Sequence, residues 1–286
     1  MEPSRQPHPA IWQAGRFRID LAQPRVMGIV NLTPDSFSDG GAHSGREAGL
    51  AHCERLVAEG ADILDLGGES TRPGAPEVSV DQELDRVMPV LDGALKLGVP
   101  VSVDTRKPEV MRAVLAAGAD IVNDVNALRE PGAIEAVAAY PRCGVCLMHM
   151  RGTPQTMQQQ ASYDDVVADV IAFLRERCDE LERAGVGAER ITVDPGIGFG
   201  KTADHNVQLL QRQAELLVLG KPLLVGWSRK STLGTITGRE ASDRLIPSIV
   251  AALVAVQRGA RIVRVHDVAA TADALRVWQR IGPAHG

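Results

Sequence analysis

Aromatic side chains are scarce in this 286-residue chain: two tyrosines, four phenylalanines and three tryptophans. A core built without them must rest on Val, Ile, Leu and Ala, and a hydrophobic content of 44% supplies a large one. Lysine is rarer still, five residues against 26 arginines. Three of the five, Lys107, Lys201 and Lys230, fall just after apolar runs. Lys and Arg are not interchangeable where a compact point-charge donor is needed. The four cysteines do not make a disulfide framework. Cys143 and Cys146 have C-x-x-C spacing, but no second pair completes a zinc site. Cys146 lies in a predicted strand, Cys53 and Cys178 on predicted helices, and all read as packing residues. No apolar stretch reaches the ~20 residues that span a bilayer; the segment 246–257 is too short. There is no basic excess either. A net charge of −5 argues against nucleic acid and anionic membranes, but not against a small anion, because local charge can oppose net charge. Residues 1–10 read as a flexible tail, and Met1–Pro9 lacks the apolar core of a secretion signal, so a cytoplasmic protein is expected. Nothing resembles a linker, so 11–282 is expected to be one domain.

What the chain does contain is a repeat of short apolar runs ending in polar residues. They cover 26–30, 63–66, 101–103, 121–122, 145–148, 191–193, 223–225 and 262–265, each followed by a helical stretch. Runs this short and rich in Val and Ile read as strands buried on both faces. Eight alternating with helices predict an α/β chain folded as a (β/α)8 TIM barrel. Trp12–Ala14 and Arg16–Ile19, joined at Gly15, predict a short N-terminal hairpin before it. Helices are expected from Arg46, Asp81, Pro108, Ala133, Asp164, Thr202, Ser242 and Val268. Two connections, 31–44 and 67–80, are long for βα loops and rich in Gly, Pro and Ser, which suits lids over a site. In this fold the C-terminal strand ends share one face, where active sites lie. Residues from 31 to 267 therefore converge on one pocket.

Five segments carry chemistry. The segment 31–41 offers oxygens beside flexible glycines, and Asn31 at the strand end suits a hard cation that fills its shell with water and phosphate. The plainer alternative is a Ser-rich turn. The segment 67–75 combines glycines with Arg72, a fork for an anion or simply a surface arginine. Asp104, Asn123 and Asp194 end strands and could accept from a donor-rich planar heterocycle. One such residue alone could be a helix cap; three on one face are harder to explain so. Ser228-Arg-Lys-Ser231 offers N–H groups and hydroxyls for a carboxylate. Arg264 and His266 alternate on the last strand, share a face, and suit a diphosphate; a structural His266–Asp267 pair is the alternative.

Together these segments resemble the dihydropteroate synthase family. The strings that carry the resemblance lie at 28–41, 67–75, 103–108, 122–125, 194–201, 228–231 and 264–268, and the match spans about residues 24–282. The resemblance implies a transferase joining (7,8-dihydropterin-6-yl)methyl diphosphate to 4-aminobenzoate, with Mg²⁺ as cofactor and a homodimer as the assembly. Carried over by position, Asp104, Asn123, Met148, Asp194, Lys230 and Arg264 bind the pterin. Asn31, Asp35, Phe37, Lys230, Arg264 and His266 serve catalysis, with Asn31 the metal ligand. Thr71, Arg72, Pro73, Phe199 and Ser231 bound the aminobenzoate site. The family's chemistry, loss of diphosphate to leave a delocalised cation, needs leaving-group neutralisation and no covalent nucleophile. No Ser-His-Asp or Cys-His pattern is evident.

The chain departs from the family's usual pattern at Trp227, Asn126-Ala127 and Arg151. Two other readings remain: a pterin-binding methyltransferase of corrinoid systems, which would not need 31–41 or 228–231, and a non-catalytic paralogue, which should have lost loop residues retained here.

Overall fold

The eight apolar runs become eight parallel strands in the computed structural model, which describes residues 11–33, 42–71, 74–153, 156–157 and 161–281. The expected tail at 1–10 lies outside the described residues. Two strands precede the barrel: β1 (Ile11–Ala14) and β2 (Phe17–Asp20). The barrel strands are β3 (Arg25–Asn31), β4 (Ile63–Gly67), β5 (Val101–Asp104), β6 (Ile121–Asp124), β7 (Gly144–Met148), β8 (Ile191–Asp194), β9 (Leu224–Val225) and β10 (Ile262–Val265). Their order is β8-β7-β6-β5-β4-β3-β10-β9. The ring closes between β8 and β9 through one parallel bridge, Val193 to Leu223, where the Val193 N–H donates to the Pro222 carbonyl at 3.0 Å.

The hairpin explains one end of the barrel. β1 and β2 pair antiparallel, with Trp12 opposite Ile19. Trp12, Ala14, Ile19 and Leu21 pack against Met27, Ile63, Ile121, Leu224 and Ile262, near the strand starts. The indole N–H of Trp12 donates to the Arg190 carbonyl at 2.8 Å, so this buried polar atom is satisfied. At the turn, Gly15 has φ +57°, and a Cβ there would lie 2.4 Å from Asp120 Oδ1. Only glycine lets the chain approach this closely. Asp120 in turn accepts from the Arg16 backbone and guanidinium at 2.9 and 2.8 Å. The hairpin thus plugs the N-terminal mouth, leaving the opposite mouth for function.

Nine helices are described: α1 (Ala42–Ala58), α2 (Val80–Ala94), α3 (Pro108–Ala116), α4 (Ala133–Ala138), α5 (Val166–Arg183), α6 (Ala203–Gln211), α7 (Ser231–Thr237), α8 (Leu245–Gln257) and α9 (Val268–Ile281). Their starts are chemically marked. Ser79 and Gln82 form a capping box on α2, Asp165 accepts from Val167 and Ala168 at α5, and Thr202 and His205 cap α6 reciprocally. Two expectations need correction. α1 begins at Ala42 rather than Arg46, shortening the first long connection. A helix that the sequence does not announce, α7, begins at Ser231 and precedes the one expected from Ser242. Its sequence, Ser-Thr-Leu-Gly-Thr-Ile-Thr, is a poor helix former, and packing of Thr232 and Leu233 overrides that preference. Among the described residues, no helix is long and apolar enough to cross a membrane.

Candidate active site

Side chains of a barrel strand point alternately in and out, so the inward residues nearest the C-terminal ends line the open mouth. Parallel register places Asn31 beside Gly67, Gly67 beside Asp104, and Asp104 beside Asn123. It also sets Met148 beside Asp194. These six residues, on six strands, sit at or near the C-terminal strand ends and form one tier. Asp104, Asn123 and Asp194 are nearly buried, as acceptors at the bottom of a pocket must be. Met148 joins Val125, Met150 and Met157 in a separate apolar cluster with Phe199 packed against it, giving the pocket one greasy wall.

The electrostatic centre is Arg264. Its Nε donates to Asp65 Oδ2 at 2.6 Å and its Nη2 to Asp104 Oδ2 at 2.8 Å. Asn123 Nδ2 also donates to Asp65 Oδ2, at 3.2 Å. Asp65 is fully buried in the middle of β4 and does not figure among the residues expected from the sequence. The pocket holds three carboxylates, Asp65, Asp104 and Asp194, against the cations Arg264 and Lys230. One carboxylate is therefore short of a partner. Burial pushes Asp104 up to about 7, although the Arg264 charge pulls the other way. Burial also raises Asp194, against the Gly196 N–H that donates to its Oδ1 at 2.7 Å. Burial works against the charged form of Arg264, but Asp65 and Asp104 outweigh it and hold the group above its ordinary value.

Lys230 extends from the segment after β9, with its ammonium 4.2 Å from the centre of the Phe199 ring. Burial lowers it to about 8 against the pull of Asp194. Gly198 sits alongside: a Cβ there would lie 3.2 Å from Lys230 Cδ. Ser231 is exposed and Thr71 half-buried, so the aminobenzoate candidates lie shallower than the pterin candidates. Of the remaining expected residues, Asp35, Phe37, Arg72 and Pro73 lie outside the described residues.

At the β3–β10 side, a cleft of about 820 Å³ is lined by Asn31, His52, Arg55, Arg229, His266 and Asp267 among others. The structural pair of His266 with Asp267 does not form. Asp267 binds Arg229 at 2.6 Å, and His266 Nδ1 meets Ser228 Oγ at 3.0 Å. Burial, with Arg264 and Arg229 nearby, pushes His266 down to about 3, so it is a neutral imidazole. The string Ser228–Ser231 is less open to a carboxylate than its sequence implies. The Ser228 hydroxyl is engaged by His266, the Arg229 N–H donates to Ser248 Oγ at 2.9 Å, and the Lys230 N–H donates to the Trp227 carbonyl at 3.2 Å. Among the described residues, no group of three or more His, Cys, Asp or Glu is placed to hold a metal ion.

The family departures sit apart from this tier. Trp227 is buried in the main core, Ala127 takes φ 53° behind β6, and Arg151 lies over the Tyr163 ring at 4.1 Å.

A plugged (β/α)8 barrel whose open mouth gathers acceptors, two cations and an apolar wall defines a class: enzymes that bind a flat, donor-rich heterocycle. The family profile described as pterin binding enzyme matches residues 27–266. A dihydropteroate synthase of Neisseria meningitidis serogroup C is 54% identical, covering 95% of this chain and 98% of that protein. The Xanthomonas albilineans dihydropteroate synthase solved with 4-aminobenzoic acid superposes with a TM-score of 0.90 at 53% identity, covering 95% of this chain and 98% of that one. The Burkholderia cenocepacia dihydropteroate synthase complexed with 7,8-dihydropteroate gives 0.87 at 50% identity, covering 96% and 98%. The chain belongs to the dihydropteroate synthase family of pterin-binding transferases.

Proposed function

We propose that this chain joins (7,8-dihydropterin-6-yl)methyl diphosphate to 4-aminobenzoate, releasing diphosphate and forming 7,8-dihydropteroate for folate synthesis. The observation that carries the reading is the convergence of Asp104, Asn123 and Asp194 with Lys230 and Arg264 at the floor of one pocket. The carboxylates accept from the pterin amino and ring N–H groups, and Met148 covers an apolar part of the ring system. Arg264 on β10 serves the diphosphate from the pocket side, and neutral His266, just after β10, and Asn31, at the end of β3, serve it from the adjoining cleft. The C–O bond to diphosphate breaks first, and the cation left on the pterin methylene is spread into the ring. Asp104 and Asp194 stabilise that positive charge; Arg264 stabilises the departing negative one. The amine of 4-aminobenzoate, held by Thr71, Arg72, Pro73, Phe199 and Ser231, then attacks the methylene carbon and loses a proton. Asp35 and Phe37 also serve catalysis, as the family resemblance implies.

Asn31 offers one neutral oxygen, and this suits an ion that arrives largely coordinated by phosphate. Mg²⁺ held by Asn31 and the diphosphate would neutralise leaving-group charge. The enzyme acts in the cytoplasm: all four cysteines are free thiols, which fits a reducing compartment. It works as a homodimer through an apolar surface on α8 and α9, where Leu245, Ile246, Val250, Val277 and Ile281 are exposed.

Diphosphate release from the pterin diphosphate, with and without 4-aminobenzoate, tests the reaction. The expected result is Mg²⁺-dependent release matched mole for mole by dihydropteroate. A chain that releases diphosphate but never forms dihydropteroate overturns the reading.

A further inference from the structure

Lys201 is buried, yet no carboxylate hydrogen-bonds it. Its ammonium lies 2.9 Å from His149 Nδ1, 3.0 Å from the Gly196 carbonyl, 3.0 Å from the Phe199 carbonyl and 3.3 Å from the His149 carbonyl. Four acceptors around one cation form a cage of the kind that also suits a small monovalent ion. His149 must present a lone pair at Nδ1, so its proton sits on Nε2; burial and the Lys201 charge hold this imidazole neutral, down to about 2. The ring is fixed edge-on against Phe173, with centroids 4.9 Å apart.

The cage joins two loops of the open mouth. His149 follows β7; Gly196 and Phe199 follow β8. Gly196 has φ +69°, and a Cβ there would fall 1.9 Å from the His149 carbonyl oxygen, so the two backbones touch. Two carbonyl dipoles aimed at one point repel each other unless a cation lies between them. Each end of the clamped segment meets a site residue. The Gly196 N–H donates to Asp194 Oδ1 at 2.7 Å, and the Phe199 ring lies against the Lys230 ammonium at 4.2 Å.

We propose that Lys201 is a positioning residue for substrate binding: its ammonium gathers the His149, Gly196 and Phe199 carbonyls, so that Gly196 orients Asp194 and Phe199 seats Lys230. The inference rests on Asp194 being a pterin acceptor. The cage explains why lysine stands at 201 in an arginine-rich chain. A guanidinium fork meets acceptors in a plane, whereas these arrive from several directions.

Three variants test it in the full-length protein. Lys201→Met keeps the length and removes the cation; Lys201→Gln keeps N–H donors without charge; Lys201→Ala opens the cage to an added amine. Calorimetry with the pterin diphosphate is expected to show at least tenfold weaker binding for Lys201→Met, and an intermediate loss for Lys201→Gln. For Lys201→Ala, propylammonium should restore binding, whereas 1-propanol, equal in size but neutral, should not. Whichever of the Met and Gln variants folds, wild-type affinity for the pterin diphosphate overturns the inference, as does equal rescue by 1-propanol. Asp194→Asn is measured alongside. If it binds the pterin diphosphate as wild type does, the role given to Asp194 fails. If it binds weakly while the Lys201 variants do not, only the positioning role fails.

Discussion

Three of the five lysines sit where an unpaired charge is expensive. Lys107 meets Glu69 and Glu83, Lys201 meets its cage, and Lys230 lies between Phe199 and Asp194. Burial lowers Lys201 to about 7 and Lys230 to about 8, from 10.5 for an ordinary lysine, while Asp194 pulls both upward. Between the folded and ordinary values the unfolded chain carries more protons than the folded one, so stability rises with pH across that window. From about pH 7 to about pH 10, the unfolding free energy of the wild type should therefore climb more steeply than that of Lys201→Met, which lacks one titration. The groups facing the ammonium, His149, Asp194, Lys230 and Arg151, are common to both proteins. Equal slopes in a denaturation series would show that Lys201 titrates as an ordinary lysine. Most of the acidic floor was legible in the sequence, because Asp104, Asn123 and Asp194 each interrupt or follow an apolar run. Asp65 was not, because it lies inside such a run, between Leu64 and Leu66. A trace of it was present: a carboxylate in a strand buried on both faces needs a charged partner, and Arg264 is the arginine inside another such run.

At the scale of elements, the connection between β4 and α2 is held from below. Glu69 accepts from Lys107 at 3.0 Å and from the Val78 N–H at 3.1 Å, tying the start of the connection to its end. Lys107 also meets the fully buried Glu83 of α2 at 2.7 Å. Removing the cation would strand the buried Glu83 and leave Glu69 with Arg106 as its remaining cation, at 3.3 Å. Lys107→Met is expected to lower stability by about 3–5 kcal/mol, the usual loss when one partner of a buried pair is removed. It should also speed hydrogen exchange at the Val78 amide. Unchanged exchange there, with stability near wild type, would mean that Glu69 finds its support elsewhere. The helices were legible where caps and periodicity agreed, as at α2, α5 and α6. α7 was hidden because its seven residues carry glycine and four β-branched residues, Thr232, Thr235, Ile236 and Thr237, all weak helix formers, and the packing of Thr232 and Leu233 is what favours the helix there.

For the molecule as a whole, the hairpin has a stabilising part to play. Trp12 is wholly buried and fills the barrel's lower mouth. Trp12→Ala should cost about 3–5 kcal/mol through the cavity left behind, read as a lower denaturant midpoint. A midpoint unchanged from wild type would place the hairpin outside the cooperative core. On the opposite flank, Ile246 and Val250 lie four residues apart on one face of α8 and are 67% and 54% exposed. If the wild type sediments as the proposed homodimer, Ile246→Glu with Val250→Glu is expected to yield a monomer; a persistent dimer would move the interface to another surface, and a monomeric wild type would remove the dimer proposal.

Because the hairpin seals one mouth and side chains fill the barrel, the site above them is a blind shaft with a single doorway. Asp104, Asn123 and Asp194 lie at its end, while Ser231 is out at the threshold. Traffic through such a shaft has an order imposed by depth. For the proposed reaction the expected order is pterin first, since an aminobenzoate lodged at the threshold of an empty enzyme is a cork. The joined product must back out whole, with its pterin end last to leave. Initial rates are therefore expected to fall when aminobenzoate is in large excess over the pterin, because the late guest then blocks the early one; rates that only saturate would show that depth imposes no order.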